Sequence, residues 1–163
     1  MRPAAELVEC LHGSAVRTLI DVRRFPSSRR NPQFNRDTLA AMLAEAGIEY
    51  RHAIELGGKR SDEPGEERFA CIAVGAFRSY AARMATPGWQ SALEAALGEP
   101  APCFMCAETP WWRCHRRLIA ELLAARGHDV VHILAAGRVE RHRPWDIGEY
   151  REGRLYLCGH EVA

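Results

Sequence analysis

The sequence predicts a single α/β domain over residues 1–163, with a mainly parallel sheet flanked by helices. Three observations predict it. Short apolar runs suited to buried strands alternate with stretches of helical period. Two strand–helix–strand units, each of about 30 residues, are readable in the chain. The length of 163 residues and the 47% hydrophobic content are enough for one sizeable core.

From Pro3 to Leu11, Leu7, Val8 and Leu11 fall at helical spacing, with Pro3 in the first turn and His12-Gly13 as the end. Val16 to Val22 reads as a strand, and a loop dense in arginine, proline and serine follows from Arg23 to Phe34. Asn35 is a suitable N-cap for a helix to Ala46, stopped by Gly47; Phe34 and Leu39 sit at staple positions across its start. Ile48 to Ala53 is the next strand and completes a βαβ unit. Leu56 to Pro64 is a polar loop whose paired glycines permit positive φ or close approach to a ligand. Glu67 to Met84 reads as mostly helical, weakened at Gly75. Thr86-Pro87 opens a further helix to Leu97.

The stretch from Cys103 to Glu108 reads as a buried strand running into a tight loop. A helix follows from Cys114 or His115 to Arg126, with Leu118, Ile119, Leu122 and Leu123 on one face and Gly127 as its stop. Val130 to Leu134 then reads as a second buried strand, so a second βαβ unit with a right-handed crossover is expected. The tail from Ala135 to Ala163 is rich in arginine, glycine and histidine, with one strand expected at Arg154 to Cys158.

With 22 basic and 21 acidic residues, no global charge demands nucleic acid or an anionic membrane. Lys59 is the only lysine, and codon bias explains the arginines as readily as anion recognition does. No apolar run approaches a membrane span and no signal-peptide pattern precedes Pro3, so a cytoplasmic protein is expected. The six cysteines lack the pattern of a small secreted domain and are expected to be reduced.

In parallel sheets, ligands sit beyond the carboxyl ends of the strands. Two loops there carry chemistry. In the first, Asp21 precedes Arg23, Ser28 and Arg29; guanidinium forks and hydroxyls suit a phosphate or carboxylate, and Asp21 could orient an arginine or act as acid/base. The alternative is a solvated basic loop capped by Asp21. In the second, Cys106 and Glu108 are candidate nucleophile and acid/base, the thiolate favoured by nearby arginines and a helix N-terminus. Cys106 could equally be core, as Cys103 and Cys71 are expected to be, and Glu108 could simply favour the helix macrodipole.

Cys114, His115 and Arg116 start the helix. Arginines there (Arg113, Arg116, Arg117) oppose the macrodipole at about 0.3–1 kcal/mol each, which points to a nearby anion or carboxylates. Trp111 and Trp112 could stack a base, cover a pocket or pack. Cys103, Cys106, Cys114 and His115 form a C-x2-C-x7-C-H pattern that zinc or iron could use. Cys103 and Cys106 point to opposite faces of one strand, however, so no metal is expected, and no cofactor. The catalytic candidates are therefore Cys106, Glu108, His115 and Asp21; those for binding an anion are Arg23, Ser28, Arg29, Arg116 and Cys114.

Together, Asp21-Val-Arg-Arg-Phe-Pro-Ser-Ser-Arg-Arg-Asn-Pro-Gln-Phe34, Gly47-Ile-Glu-Tyr50, Leu56-Gly-Gly58, Ser79-Tyr-Ala-Ala-Arg-Met84 and Cys106-Ala-Glu108 with Cys114-His-Arg116 resemble the bacterial and archaeal family called domain of unknown function 488. The resemblance spans roughly residues 16–137. It implies an α/β Rossmann-like fold and a set of polar residues, but no established reaction. Two departures stand out. The family's Gly-Tyr is here Ser79-Tyr80, and nothing here precedes Pro3 to supply its opening strand, ending Thr-Ile-Gly-His-Ser. Leu155-Tyr-Leu-Cys-Gly-His160 is similar to that opening, so Arg154–Cys158 could fill the vacant central slot as a circular permutation, with His160 reaching the site. The alternative is an ordinary C-terminal edge strand.

The functional expectation is an enzyme, a hydrolase or transferase, acting on a phosphate-bearing or nucleotide-like small molecule held by an arginine-rich cleft. The alternatives are a nucleotide or nucleic-acid binding module without catalysis, and a Cys/His metal protein. A membrane partner is not expected, and the sequence does not address oligomeric state.

Overall fold

A computed structural model describes residues 4–58 and 62–163. The readings placed on Pro3, Lys59, Arg60 and Ser61 lie outside the described residues. The described residues form two compact units: those within 1–57, 92–107 and 133–140 make the first, and those within 58–91, 108–132 and 141–163 the second.

In the first unit, α1 (Ala4–Gly13) precedes β1 (Thr18–Asp21), and α2 (Arg36–Glu45) connects β1 to β2 (Glu49–His52). β3 (Pro102–Met105) joins on the other side, giving a three-stranded parallel sheet in the order β2-β1-β3. β1 is buried along its whole length, as a central parallel strand with both edges paired should be. Leu19 faces Tyr50 on one side and Cys103 on the other, while Asp21 faces His52 and Met105. Leu11, Leu19, Leu39, Leu43 and Ile48 form the core over this face, with Phe34, Tyr50, Cys103 and Met105 packed against it. Each fully buried leucine contributes roughly 1.5–3 kcal/mol. Phe34 and Leu39 thus share one cluster across the start of α2, as the staple requires, and Gly47 ends that helix at φ 71°. The first expected βαβ unit is present.

The second is not. β4 (Val131–Ala135) pairs with β5 (Arg138–Arg141) as a separate two-stranded sheet, turning at Gly137 with φ 67°, and among the described residues β3 has only β1 beside it. A strand inside a parallel layer is buried on both faces, but β4 is exposed at Val131 and only partly buried beyond it. A nearby positive-φ glycine and a polar return strand make a hairpin the cheaper closure.

In the second unit, α3 (Gly75–Met84) and α5 (Arg116–Ala125) accompany a three-stranded antiparallel sheet of β6 (Gly148–Arg151), β7 (Arg154–Leu157) and β8 (His160–Glu161), and α5 contacts β6 and β7. Residues of α4 (Pro87–Leu97) belong to both units. Leu118, Ile119, Leu122 and Leu123 are buried as the helical period requires, and Leu155, Leu157 and Val162 are buried in the sheet. The hairpin turns are Glu152-Gly153 (φ 51°, 78°) and Cys158-Gly159 (φ 54°, 76°), left-handed at both positions in the manner of type I′ turns.

Several expectations are therefore corrected. The protein does not have one mainly parallel, Rossmann-like sheet: among the described residues, five helices accompany a small parallel sheet and two antiparallel ones. Arg154–Cys158 does not enter a vacant central slot, because β7 is saturated by β6 and β8 while β1 already has β2 and β3. Nor is it an edge strand, and His160 is exposed. The helix expected from Glu67 to Met84 is broken into a 3-10 turn, Glu66–Phe69, and α3. The break holds Cys71, which is disulfide-bonded to Cys158, so the cysteines are not all reduced and Cys71 is not core. Among the described residues, no helix is long and apolar enough to cross a membrane.

Candidate functional site

At the carboxyl end of β1, Asp21 is fully buried and organises its surroundings. Its Oδ1 accepts from the Arg23 backbone N–H at 3.0 Å and from Arg23 Nε at 2.9 Å; its Oδ2 accepts from Arg23 Nη2 at 2.6 Å. Tyr50 reaches diagonally from β2 and donates its hydroxyl to Oδ2 at 2.7 Å. His52, the register partner of Asp21, donates Nε2–H to the Arg23 carbonyl at 2.8 Å. Burial alone would lower the Arg23 pKa, but the hydrogen bonds and charge of Asp21 outweigh it and carry it above the ordinary arginine value. Burial and the Asp21 carboxylate push the Tyr50 phenol well upward, so it stays a donor.

The loop beyond is fastened by its own side chains. Ser28 Oγ accepts from the Asn31 N–H at 3.1 Å, and the Ser28 N–H donates to Asn35 Oδ1 at 2.6 Å. Asn35 stands at the N-cap of α2 but makes no side-chain cap bond there, because its side chain serves the loop. Arg29 is exposed. Cys106 is half-buried and immediately follows Met105, whose carbonyl accepts the Val22 N–H at 2.9 Å, so within this unit it lies at the same strand ends as Asp21.

The remaining candidates belong to the second unit. Glu108 is exposed in a loop leading to a 3-10 turn, Trp111–Arg113. His115 is the N-cap of α5, and Cys114 Sγ lies 3.5 Å from its Nδ1, both residues being buried. Gly58 packs so closely on this ring that a Cβ there would stand 2.2 Å from Nδ1. Tyr80 lies on another side, its ring centroid 4.9 Å from that of His115, and its hydroxyl accepts from Trp89 Nε1 at 3.1 Å. His115 Nε2 is buried with no hydrogen-bond partner among the described residues. Arg116 does not point its charge outward: its guanidinium donates to the Glu108 carbonyl and, at 3.5 Å, to that of Thr109. Arg117 lies over the Trp145 ring at 3.8 Å, and burial lowers its pKa. Loop carbonyls and an indole thus receive two of the three arginines at this helix start.

A further polar group in this unit lies outside the sequence expectations. Glu121 is fully buried on the apolar side of α5. Its Oε1 accepts from the Trp145 N–H at 2.8 Å and its Oε2 from the Tyr150 hydroxyl at 2.6 Å; burial and that carboxylate push the Tyr150 phenol upward. His142 Nε2 stands 3.2 Å from Oε1, within ion-pair range but out of line for a hydrogen bond. His142 Nδ1 meets His132 Nε2 at 3.0 Å, and His132 stacks flat on Trp111 at 3.9 Å. Trp111 is therefore committed to packing, while Trp112 is exposed. Burial, then His142 and Arg116, lower the His132 pKa to about 4. The available signal was a carboxylate at position 121, between Leu118 and Leu122 on the buried stripe of a helix.

No curated protein and no solved structure is significantly similar to the chain. A family model does match, over residues 3–123, and it covers both the Asp21 loop and the Cys106–Arg116 segment. The chain belongs to the family described as Domain of unknown function DUF488.

Proposed function

We propose that the protein is an enzyme, a hydrolase or transferase, acting on a phosphate-bearing or nucleotide-like anion bound at the carboxyl ends of β1 and β3. The observation that carries this reading is the Asp21–Arg23 pair. Burying an ion pair costs several kcal/mol of desolvation per charge, roughly as much as the pairing returns, so it is a poor device for stability alone. It is a good device for aiming a guanidinium: Asp21 holds Nε and Nη2, Tyr50 braces Asp21, and His52 fixes the backbone of Arg23. In this reading Nη1 of Arg23 meets the anion, Ser28 and Arg29 contribute from the same loop, and Cys106 is the nucleophile. Glu108 and His115 are the proton-transfer candidates that the second unit carries, each to be tested by substitution, and Cys114 and Arg116 adjoin His115 there.

The test is a panel of phosphomonoesters and nucleotides assayed with wild type, Cys106→Ser and Arg23→Lys. Turnover lost in Cys106→Ser with ligand affinity kept supports an enzyme; full turnover in that variant removes Cys106 from the mechanism. Exposed Arg29 and Arg30 on the same loop favour, as a second reading, a nucleotide or nucleic-acid binding module. Affinity without turnover, falling steeply with added salt, would identify that case.

A further inference from the structure

The Cys71–Cys158 disulfide joins two residues that the proposed reaction does not use, and its surroundings are unequal in a way that has chemical consequences. Cys71 is exposed in the break between the 3-10 turn and α3, whereas Cys158 is half-buried in the β7–β8 turn. The Cys71 backbone N–H donates to Cys158 Sγ at 3.2 Å. Cys158 also holds φ 54°, a left-handed conformation that a side chain adopts only at some cost. Exposed bonds in strained segments are the ones that exchange with external thiols.

We propose that this disulfide is a reversible thiol-exchange site whose substrate class is a dithiol reductant, with Cys71 as the attacked sulfur. The reductant's thiolate attacks Sγ of the exposed residue Cys71, an S–S bond forms to it, and the Cys71–Cys158 bond breaks. The electron pair leaves on Cys158 Sγ, where the Cys71 N–H stabilises the developing thiolate before it takes a proton. The second thiol of the reductant then displaces Cys71. The protein gains two thiols and the dithiol becomes a disulfide, a balanced two-electron, two-proton exchange. What the exchange releases is the segment around Phe69, which is buried and meets His160 edge-on at 6.5 Å, from the β7–β8 hairpin. That segment runs directly into α3, which carries Tyr80 to His115.

The experiment uses the full chain in dithiothreitol redox buffers without denaturant. Thiols counted after an acid quench and unfolding of the sample should rise from four to six and fall back on reoxidation. Amide exchange should quicken about tenfold or more over residues 62–74 and 155–163, with residues 116–125 unchanged. Glutathione, a monothiol, should leave its mass-detected adduct on Cys71. A Cys71→Ser/Cys158→Ser variant should match the reduced wild type in its exchange pattern. Reduction only in denaturant, an adduct on Cys158, or identical exchange in both redox states would each overturn the proposal.

Discussion

Asp21 grips Arg23 through two donors of one guanidinium, at 2.9 and 2.6 Å, with the carboxylate wholly out of solvent. Removing one partner of a buried pair leaves the other charge uncompensated, which costs roughly 3–5 kcal/mol. Asp21→Ala should therefore destabilise the fold by about that much, measured by urea unfolding. Tyr50→Phe removes only a brace and should cost about 1 kcal/mol. A Tyr50→Phe loss as large as that of Asp21→Ala would mean that the phenol, not the arginine, is the main partner of Asp21.

Glu121 makes the parallel case in the second unit. Glu121→Gln keeps the shape but replaces one accepting oxygen with a donor facing either the Trp145 N–H or the Tyr150 hydroxyl. About 2–3 kcal/mol of stability should be lost. Tryptophan fluorescence should report a loosened Trp145.

His132 supplies a pH dependence of definite sign. Its pKa is lowered to about 4, against an ordinary value near 6.5 in the unfolded chain. Below about pH 6.5 the unfolded chain therefore binds a proton that the native imidazole does not. Its contribution is complete above that pH and declines as pH falls, until the native ring itself titrates near 4. Because His132 is only partly buried, solvent screening reduces the amplitude. Urea midpoints measured from pH 7.5 to 4 should fall more steeply in wild type than in His132→Phe, which keeps a ring on Trp111 but cannot titrate. Equal slopes would exclude His132 as a contributor.

Gly58→Ala tests the seat of His115. An added Cβ at 2.2 Å from Nδ1 cannot coexist with the ring where it is. The imidazole must move, at a cost of about 1–3 kcal/mol. Its NMR resonances should shift, and the reactivity of neighbouring Cys114 towards a thiol reagent should change with them. Unshifted His115 signals would show that the backbone at residue 58 yields instead.

For the proposed reaction, Glu108→Gln should abolish turnover on any substrate found while leaving affinity within about a factor of three, since general acid–base groups contribute typically 10²–10⁴-fold. A variant of undiminished activity would leave Glu108 as a surface carboxylate.

The helices were largely readable because their signals are local. Gly47 and Gly127 both take positive φ where each helix ends, and the apolar stripe of α5 is buried as its spacing requires. Asp21 beside Arg23 was also within reach, since a carboxylate two residues from a guanidinium can orient it without any distant partner. Glu121 is not legible in this way, because one charge among leucines carries no sign of its partners, which lie 21 to 29 residues further along at His142, Trp145 and Tyr150. The two I′ turns, Glu152-Gly153 and Cys158-Gly159, stand in the sequence as residue pairs, and as hairpin turns they separate β7 from the parallel sheet.

By itself the sequence determined its family, the β1–α2–β2 unit, the boundaries of α5 and the residue types at the ends of β1 and β3. Those depend on period, caps and turns, which act over a few residues. Only the tertiary structure decided that β4 turns back on β5, that β7 sits between β6 and β8, and that Cys71 meets Cys158 across a separation of 87 residues. It also decided where the arginines go: Arg23 to Asp21, Arg116 to loop carbonyls and Arg117 to an indole. Strand pairing and charge pairing are choices among competing distant partners, and burial and geometry make those choices only once the chain has folded.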